Sequence, residues 1–364
     1  MSEKTNSSGS TSRLLQLCFG YFIFYVINGV AVKFFLSTGE GYPALNGMEY
    51  LVYNTAGAAL LATGVVLVLK WYRIESVRKI NIMGISIPSE LPYILVSGIC
   101  TAVIVPTTTL LYSFKGISVM VAMIIMRGSV IIIGRVVDAI QIKRGILKKK
   151  VYLEENIAMF IALFAVSIKI FSGSGDGASP FTSIPVMVIF GSYIVSYAIR
   201  IYIMNYYKNT RPPEEKKDNN KSFFAIEQIT SFITMFLVTA AVLVAAKNFG
   251  VTGERITPFS NAFFETNTEW APWAFFAGSA YGIIAFLSVF IFMFKGRTAT
   301  FAGLANRLTS LIAGTVSTLV IAIFFSGKFP AIIDWVSLSF IFIAIAFMSK
   351  AEKKRKCEIG LQKC

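Results

Sequence analysis

The sequence has no histidine among its 364 residues. That removes the commonest metal ligand and the usual proton carrier near neutral pH. Cysteine is scarce. Cys18 and Cys100 lie in apolar stretches, and Cys357 and Cys364 in a basic tail. No pair has metal-ligand spacing, so neither a zinc site nor a disulfide framework is indicated. Cys364 ends no prenylation box, although lipidation of the tail cysteines stays open. There is no P-loop, no G-x-S-x-G and no H-E-x-x-H. ATP-driven transport by this chain alone is therefore not expected. The segments between apolar runs are all short, too short for a separate catalytic domain. No enzyme activity, metal or cofactor is expected.

Acidic residues are also few, 19 against 34 lysines and arginines, for a net charge of +15. In a soluble protein such an excess would suggest nucleic acid. Here the basic residues cluster in short connections between apolar runs, where they set orientation, and no nucleic-acid partner is expected. What the chain has in quantity is apolar surface: 55% of residues are hydrophobic and the mean hydropathy is +0.67. Stretches such as "LPYILVSGICTAVIVPTTTLLY" (91–112) and "WVSLSFIFIAIAFM" (335–348) carry no charge. Nearly uncharged runs of about 18 or more residues read as membrane helices. The polar N-terminus precedes a run too long for a signal-peptide core, and that run reads as the first span.

Ten spans are expected, at about 14–36, 49–71, 91–113, 116–138, 153–172, 183–205, 223–246, 271–294, 299–326 and 331–349. The fold class is then an all-α polytopic membrane protein. The connections holding "KWYRIESVRK", "KRGILKKK", "KNTRPPEEKKDNNK" and "KGR", and the tail "KAEKKRK", are basic. Of the alternate connections, "STGEGYPALNGME" and "SGSGDGASPFTS" have no lysine or arginine, and the long one at 247–270 mixes acids with bases. By the positive-inside rule both termini are cytoplasmic. The segment 247–270 is long enough for a lid or a short interfacial helix. A bacterial inner membrane is the expected location, with an endomembrane as the alternative.

Residues 112–134, "YSFKGISVMVAMIIMRGSVIIIG", resemble 292–314, "FMFKGRTATFAGLANRLTSLIAG". Phe114-Lys115-Gly116 aligns with Phe294-Lys295-Gly296, Arg127 with Arg307 and Gly134 with Gly314, all at an offset of 180 residues. The first copy joins spans three and four, and the second joins spans eight and nine. Two halves of five spans follow, 14–172 and 183–349, between an N-terminal tail (1–13) and a basic tail (350–364). An odd number of spans per half inverts the second copy. Inverted repeats are a recurring plan of secondary transporters, with substrate bound between the halves near the midplane.

Charge within a membrane span is functional by default. Arg307 lies about eight residues into its span, roughly 12 Å at the helical rise. Arg127 lies at a similar depth from the opposite side. The functional reading is that they grip an anionic group on a substrate, since the guanidinium fork stays charged and binds oxyanions in bidentate fashion. The structural alternative is pairing with carbonyls or acids, or snorkelling. Glu227, followed by Gln228, could carry a coupling proton or bind a substrate hydroxyl or amine. It is equally readable as a wet carboxylate favouring a helix N-terminus. Arg135 and Asp138 suggest a surface ion pair at i, i+3, and Arg200 and Lys169 suggest snorkelling. Pro106 kinks its helix and frees a carbonyl that Thr107, Thr108 or Thr109 could satisfy. Tyr112 and Tyr281 are candidates for stacking on a substrate ring. Gly303 and Gly314 suggest close helix packing, while Lys295 and Arg297 read as topology markers.

Ten helices as five plus five, inverted, resemble the drug/metabolite transporter superfamily. One local match is sharper. Gly303-Leu304-Ala305-Asn306-Arg307, continuing as "LTSLIAG" (308–314), resembles the G-A-L-N-K motif of nucleotide-sugar transporters of the GDP-mannose type. In that family the motif contacts the nucleotide diphosphate. The resemblance implies that Gly303, Asn306 and Arg307 hold a phosphate or similar anion. The F-Y-N-N base-recognition motif of that family is replaced here by Ala225-Ile226-Glu227-Gln228. The chain also resembles EamA-like metabolite exporters. The expected function is secondary transport of a small polar anionic metabolite, with the lipid bilayer as surroundings and a homodimer left open. The rival readings are a cation or amino-acid exporter working through Glu227 and, further off, a membrane enzyme acting on lipid-linked substrates.

Overall fold

The structure, a computed structural model, describes residues 11–358 except 75, 77, 83, 113–118, 148–150, 173–183, 211–219, 254, 326–328 and 331. Lys115, the connection at 173–182 and Cys364 therefore lie outside the described residues. In lipid every backbone polar group must find its partner within the protein, and a helix does so within one segment. The apolar runs form α1 (Thr11–Leu36), α2 (Gly47–Val68), α3 (Leu91–Tyr112), α4 (Val119–Lys143), α5 (Leu153–Ser172), α6 (Ile184–Thr210), α7 (Asn220–Phe249), α9 (Ala271–Phe292), α10 (Ala299–Phe324) and α11 (Ile332–Glu358). A short helix, α8 (Ile256–Phe264), occupies the long connection. An antiparallel pair, β1 (Lys79–Ile82) and β2 (Ile85–Pro88), with Lys79 opposite Pro88, joins α2 to α3.

Among the described residues, eight helices are long and apolar enough to cross a membrane: α1, α2, α3, α6, α7, α9, α10 and α11. The remaining two long helices are α4, which carries Arg127, Arg135, Asp138 and Lys143, and α5, which carries Glu154, Glu155 and Lys169. Large apolar side chains such as Phe160, Phe236, Trp273 and Phe276 are exposed on the bundle surface. So much exposed apolar surface suits a protein surrounded by acyl chains. The protein is an integral multi-pass membrane protein.

The last helix differs from expectation. It runs through the basic segment to Glu358, and Glu352 and Arg355 are buried. The charges there are not all solvated, because they meet partners on α5 and on the α9–α10 connection. Cys357 is disulfide-bonded, against the sequence reading, while Cys18 and Cys100 are free.

The main helix contacts pair α2 with α9, α3 with α6 and α7, α1 with α9 and α10, α4 with α10 and α6, and α5 with α11. Thr11 at the start of α1 donates to Glu352 Oε1 near the end of α11 at 2.8 Å, so both ends of the described chain meet at one end of the bundle. At the other end Tyr42 donates to the Phe325 carbonyl at 2.6 Å, and the Asn267 amide to Tyr53 Oη at 3.3 Å.

Glycine lets helices approach closely, as between α2 and α9 and between α3 and α7. A Cβ on Gly278 would sit 2.1 Å from the Asn54 carbonyl oxygen, and one on Gly98 would sit 2.5 Å from Thr230 Cβ. Gly303 and Gly314 play no such part: their Cβ positions reach neighbours only at 3.8 Å, an ordinary contact.

Candidate substrate site

Arg307 on α10 is 7% exposed, and its guanidinium carbon lies 5.0 Å from the centre of the Tyr197 ring on α6. Its Nε and Nη2 have no hydrogen-bond partner among the described residues. Asn306 beside it is fully buried and held on both sides. Its Oδ1 accepts from Tyr21 at 3.4 Å, and its Nδ2 donates to Ser288 Oγ at 3.1 Å. Arg127, from α4, comes to the same region. Its Nη1 donates to the Ser310 carbonyl at 3.2 Å and its Nη2 to Tyr25 Oη at 2.9 Å, with the Tyr25 ring 5.2 Å from its guanidinium carbon. Tyr21 lies within electrostatic range of both arginines.

Tyrosines surround these cations. Tyr21 and Tyr25 lie one turn apart on α1, with ring centres 5.4 Å apart. Tyr193 and Tyr197 repeat that spacing on α6 at 4.8 Å. Tyr281 on α9 is within electrostatic range of Tyr25, Tyr197 and Arg307. Sequence reasoning missed the four tyrosines of α1 and α6. Their i, i+4 spacing was legible, but in an apolar span it reads as ordinary packing.

Glu227 is fully buried and answered on every side. Arg200 grips it side-on, Nε to Oε1 at 2.8 Å and Nη2 to Oε2 at 3.0 Å. Ser97 and Thr101 on α3 donate to Oε1 at 2.5 and 3.2 Å. Neither a wet interfacial Glu227 nor a snorkelling Arg200 is found. The two charges meet in the interior because a buried carboxylate without a partner is costly. Gln228 is buried and its Nε2 lacks a partner among the described residues. The Tyr112 and Lys169 side chains lie outside the described residues. Thr107 and Thr108 return their hydroxyls to carbonyls of their own helix, at 2.7 and 2.6 Å.

Nearer the end of the bundle where the termini meet, two expectations change. Asp138 forms no surface pair with Arg135. It is fully buried and accepts from the amides of Ala299 at 2.8 Å and Thr300 at 2.6 Å, and from the Thr300 hydroxyl at 2.6 Å. A carboxylate from α4 thus caps the N-terminus of α10, where unpaired amides favour negative charge. Arg297 is buried rather than a surface marker and is paired with Glu352. Burial holds its pKa below the usual arginine value. Lys208 Nζ donates to the carbonyls of Phe292 at 3.1 Å and Arg297 at 2.8 Å, closing the end of α9. Arg355 completes the cluster, donating to Glu155 at 2.5 Å and to Glu352 at 3.2 Å.

No group of three or more histidine, cysteine or acidic side chains that could hold a metal occurs among the described residues. No family model and no curated protein matches the sequence. A solved crystal structure of another protein resembles the chain in fold, with a TM-score of 0.58 at 9% identity. The match covers 95% of this chain and 99% of that one. At that identity the likeness concerns the fold alone.

Proposed function

We propose that this protein is a secondary transporter of the drug/metabolite type, moving a small polar anionic metabolite across its membrane by alternating access. The observation that carries this reading is Arg307: a guanidinium 7% exposed, with two donors unpartnered among the described residues. A buried arginine left so is expensive unless something else answers it. An anionic substrate does so, and Asn306 beside it corresponds to the polar residue of the anion-contacting motif that 303–314 resembles.

Two further observations support the transporter plan. Exchanging α1–α5 in order with α6, α7, α9, α10 and α11 turns the α2–α9 contact into α7–α3. It also turns α3–α6 into α9–α1, and α1–α10 into α6–α4, and all of these contacts occur. The 180-residue offset extends beyond 112–134, aligning Pro92 with Pro272 and Gly98 with Gly278. Each of those glycines faces a carbonyl on its neighbouring helix, that of Glu227 or Asn54. The cation–ring pair Arg127–Tyr25 has a counterpart in Arg307–Tyr197 under the same exchange of helices, the arginines at the 180-residue offset and the tyrosines 172 residues apart. Such a symmetry supports two halves that rock about a central site. The meeting of the described chain ends at one end of the bundle supports an even number of crossings, which the proposed ten spans with both termini cytoplasmic require.

The reading that makes Glu227 the acid of a cation exporter loses its basis, since Arg200 already neutralises that carboxylate. The test is a thermal-shift screen of purified protein against nucleotide sugars, sugar phosphates, nucleotides, amino acids and organic acids. A ligand stabilises the state it binds, by an amount that grows with its concentration over Kd. At least one anionic class raises the melting temperature of the wild type and loses that effect in Arg307→Ala. Stabilisation that survives Arg307→Ala undiminished contradicts the proposal.

A further inference from the structure

Arg200 and Arg307 present the same edge of the guanidinium in different states. On Arg200 the Nε–Nη2 edge is filled by the two oxygens of the Glu227 carboxylate, at 2.8 and 3.0 Å. On Arg307 the unpartnered donors are that same pair, Nε and Nη2. These two N–H groups run parallel at the spacing of two oxygens on one planar group. The guanidinium carbon of Arg307 lies 5.0 Å from the centre of the Tyr197 ring, and the Nε–Nη2 edge is the part left open among the described residues, so an anion meets it in plane, along that edge. From this geometry we infer that the transported molecule presents a single carboxylate side-on to Nε and Nη2 of Arg307, with an uncharged apolar body against Tyr197 and Tyr281 and no cationic group. The inference rests on the anion site proposed above and narrows its ligand.

Charge decides against two neighbouring classes. A phosphate monoester carries about −1.5 to −2 at neutral pH and three oxygens, more than the open edge of Arg307 answers, and Nη1 and Nη2 of Arg127 already donate to the Ser310 carbonyl and to Tyr25. A zwitterion brings an ammonium, which needs a carboxylate partner. The acid built into this region, Glu227, is already held by Arg200, Ser97 and Thr101. Tyrosine walls suit the rest of such a molecule, since each offers an apolar ring and a hydroxyl.

The test compares probes of one body and three head groups on the purified full chain: phenylacetate, phenylalanine and phenyl phosphate, with acetate and benzoate as further carboxylates. Thermal stabilisation is read against concentration. At least one carboxylate stabilises the wild type, while phenylalanine and phenyl phosphate act about tenfold more weakly or not at all. Arg307→Lys keeps the buried cation but not the fork, and weakens the carboxylate effect about tenfold or more. The wild-type comparison stands by itself if that variant fails to fold. If phenyl phosphate or phenylalanine matches the best carboxylate, the carboxylate assignment is overturned. In that outcome, loss of the effect in Arg307→Lys keeps the broader anion site intact. If no carboxylate binds, the assignment is likewise overturned, and the screen against the other anion classes then decides the broader site separately.

Discussion

Arg127, Arg200 and Arg307 are all buried in apolar helices, and their partners divide their roles. Arg200 is matched by a carboxylate, so the Arg200–Glu227 pair is structural. Truncating one member of a buried pair strands the other charge, at a cost of about 3–5 kcal/mol. Glu227→Ala and Arg200→Ala are each expected to lower the unfolding temperature in detergent markedly. The double variant loses less than the sum of the two, which a double-mutant cycle measures. Additive losses would show that the pair is not coupled. Arg307 was legible from sequence because a cation in an apolar run is conspicuous. The Arg200–Glu227 pair was not, since the two residues are 27 positions apart on different helices. Only the register between α6 and α7 brings them together, and no local pattern encodes that register.

At the scale of elements, the α9–α10 connection is tied to three other helices. Asp138 from α4 caps α10, Lys208 from α6 closes α9, and Glu352 from α11 holds Arg297. An unsatisfied buried group costs about 1–3 kcal/mol, and Asp138→Ala strands both the Ala299 and Thr300 amides. It is expected to destabilise by at least that amount in thermal unfolding, and Asp138→Asn by less, because an amide oxygen still accepts. Helix contacts give a second prediction. Gly278→Ala forces a Cβ toward the Asn54 carbonyl and costs about 1–3 kcal/mol of overpacking. Gly303→Ala, with ordinary contact distances, changes stability by no more than about 0.5 kcal/mol. Equal effects would contradict the packing described. The positions of the helices were readable from hydropathy, and the short helix in 247–270 was foreseen as an option. The roles of individual glycines and of Asp138 were not, because what a Cβ or a carboxylate meets is set by a helix distant in sequence.

For the whole molecule, the bundle of apolar helices with exposed phenylalanines and tryptophan makes the bilayer its surroundings. The contact between Thr11 and Glu352 brings the two ends of the described chain to one end of the bundle. Epitope tags at the N- and C-termini are therefore expected to be protected together, or cleaved together, when sealed vesicles are treated with protease. Tags on opposite sides would contradict an even number of crossings. The most direct measurement of the central claim is uptake into proteoliposomes of labelled anions from the screened classes, comparing wild type with Arg307→Lys and Arg307→Ala. The account predicts saturable uptake by the wild type that falls about tenfold or more in both variants, even though each still folds and inserts. Uptake that is unchanged without the Arg307 guanidinium would contradict it.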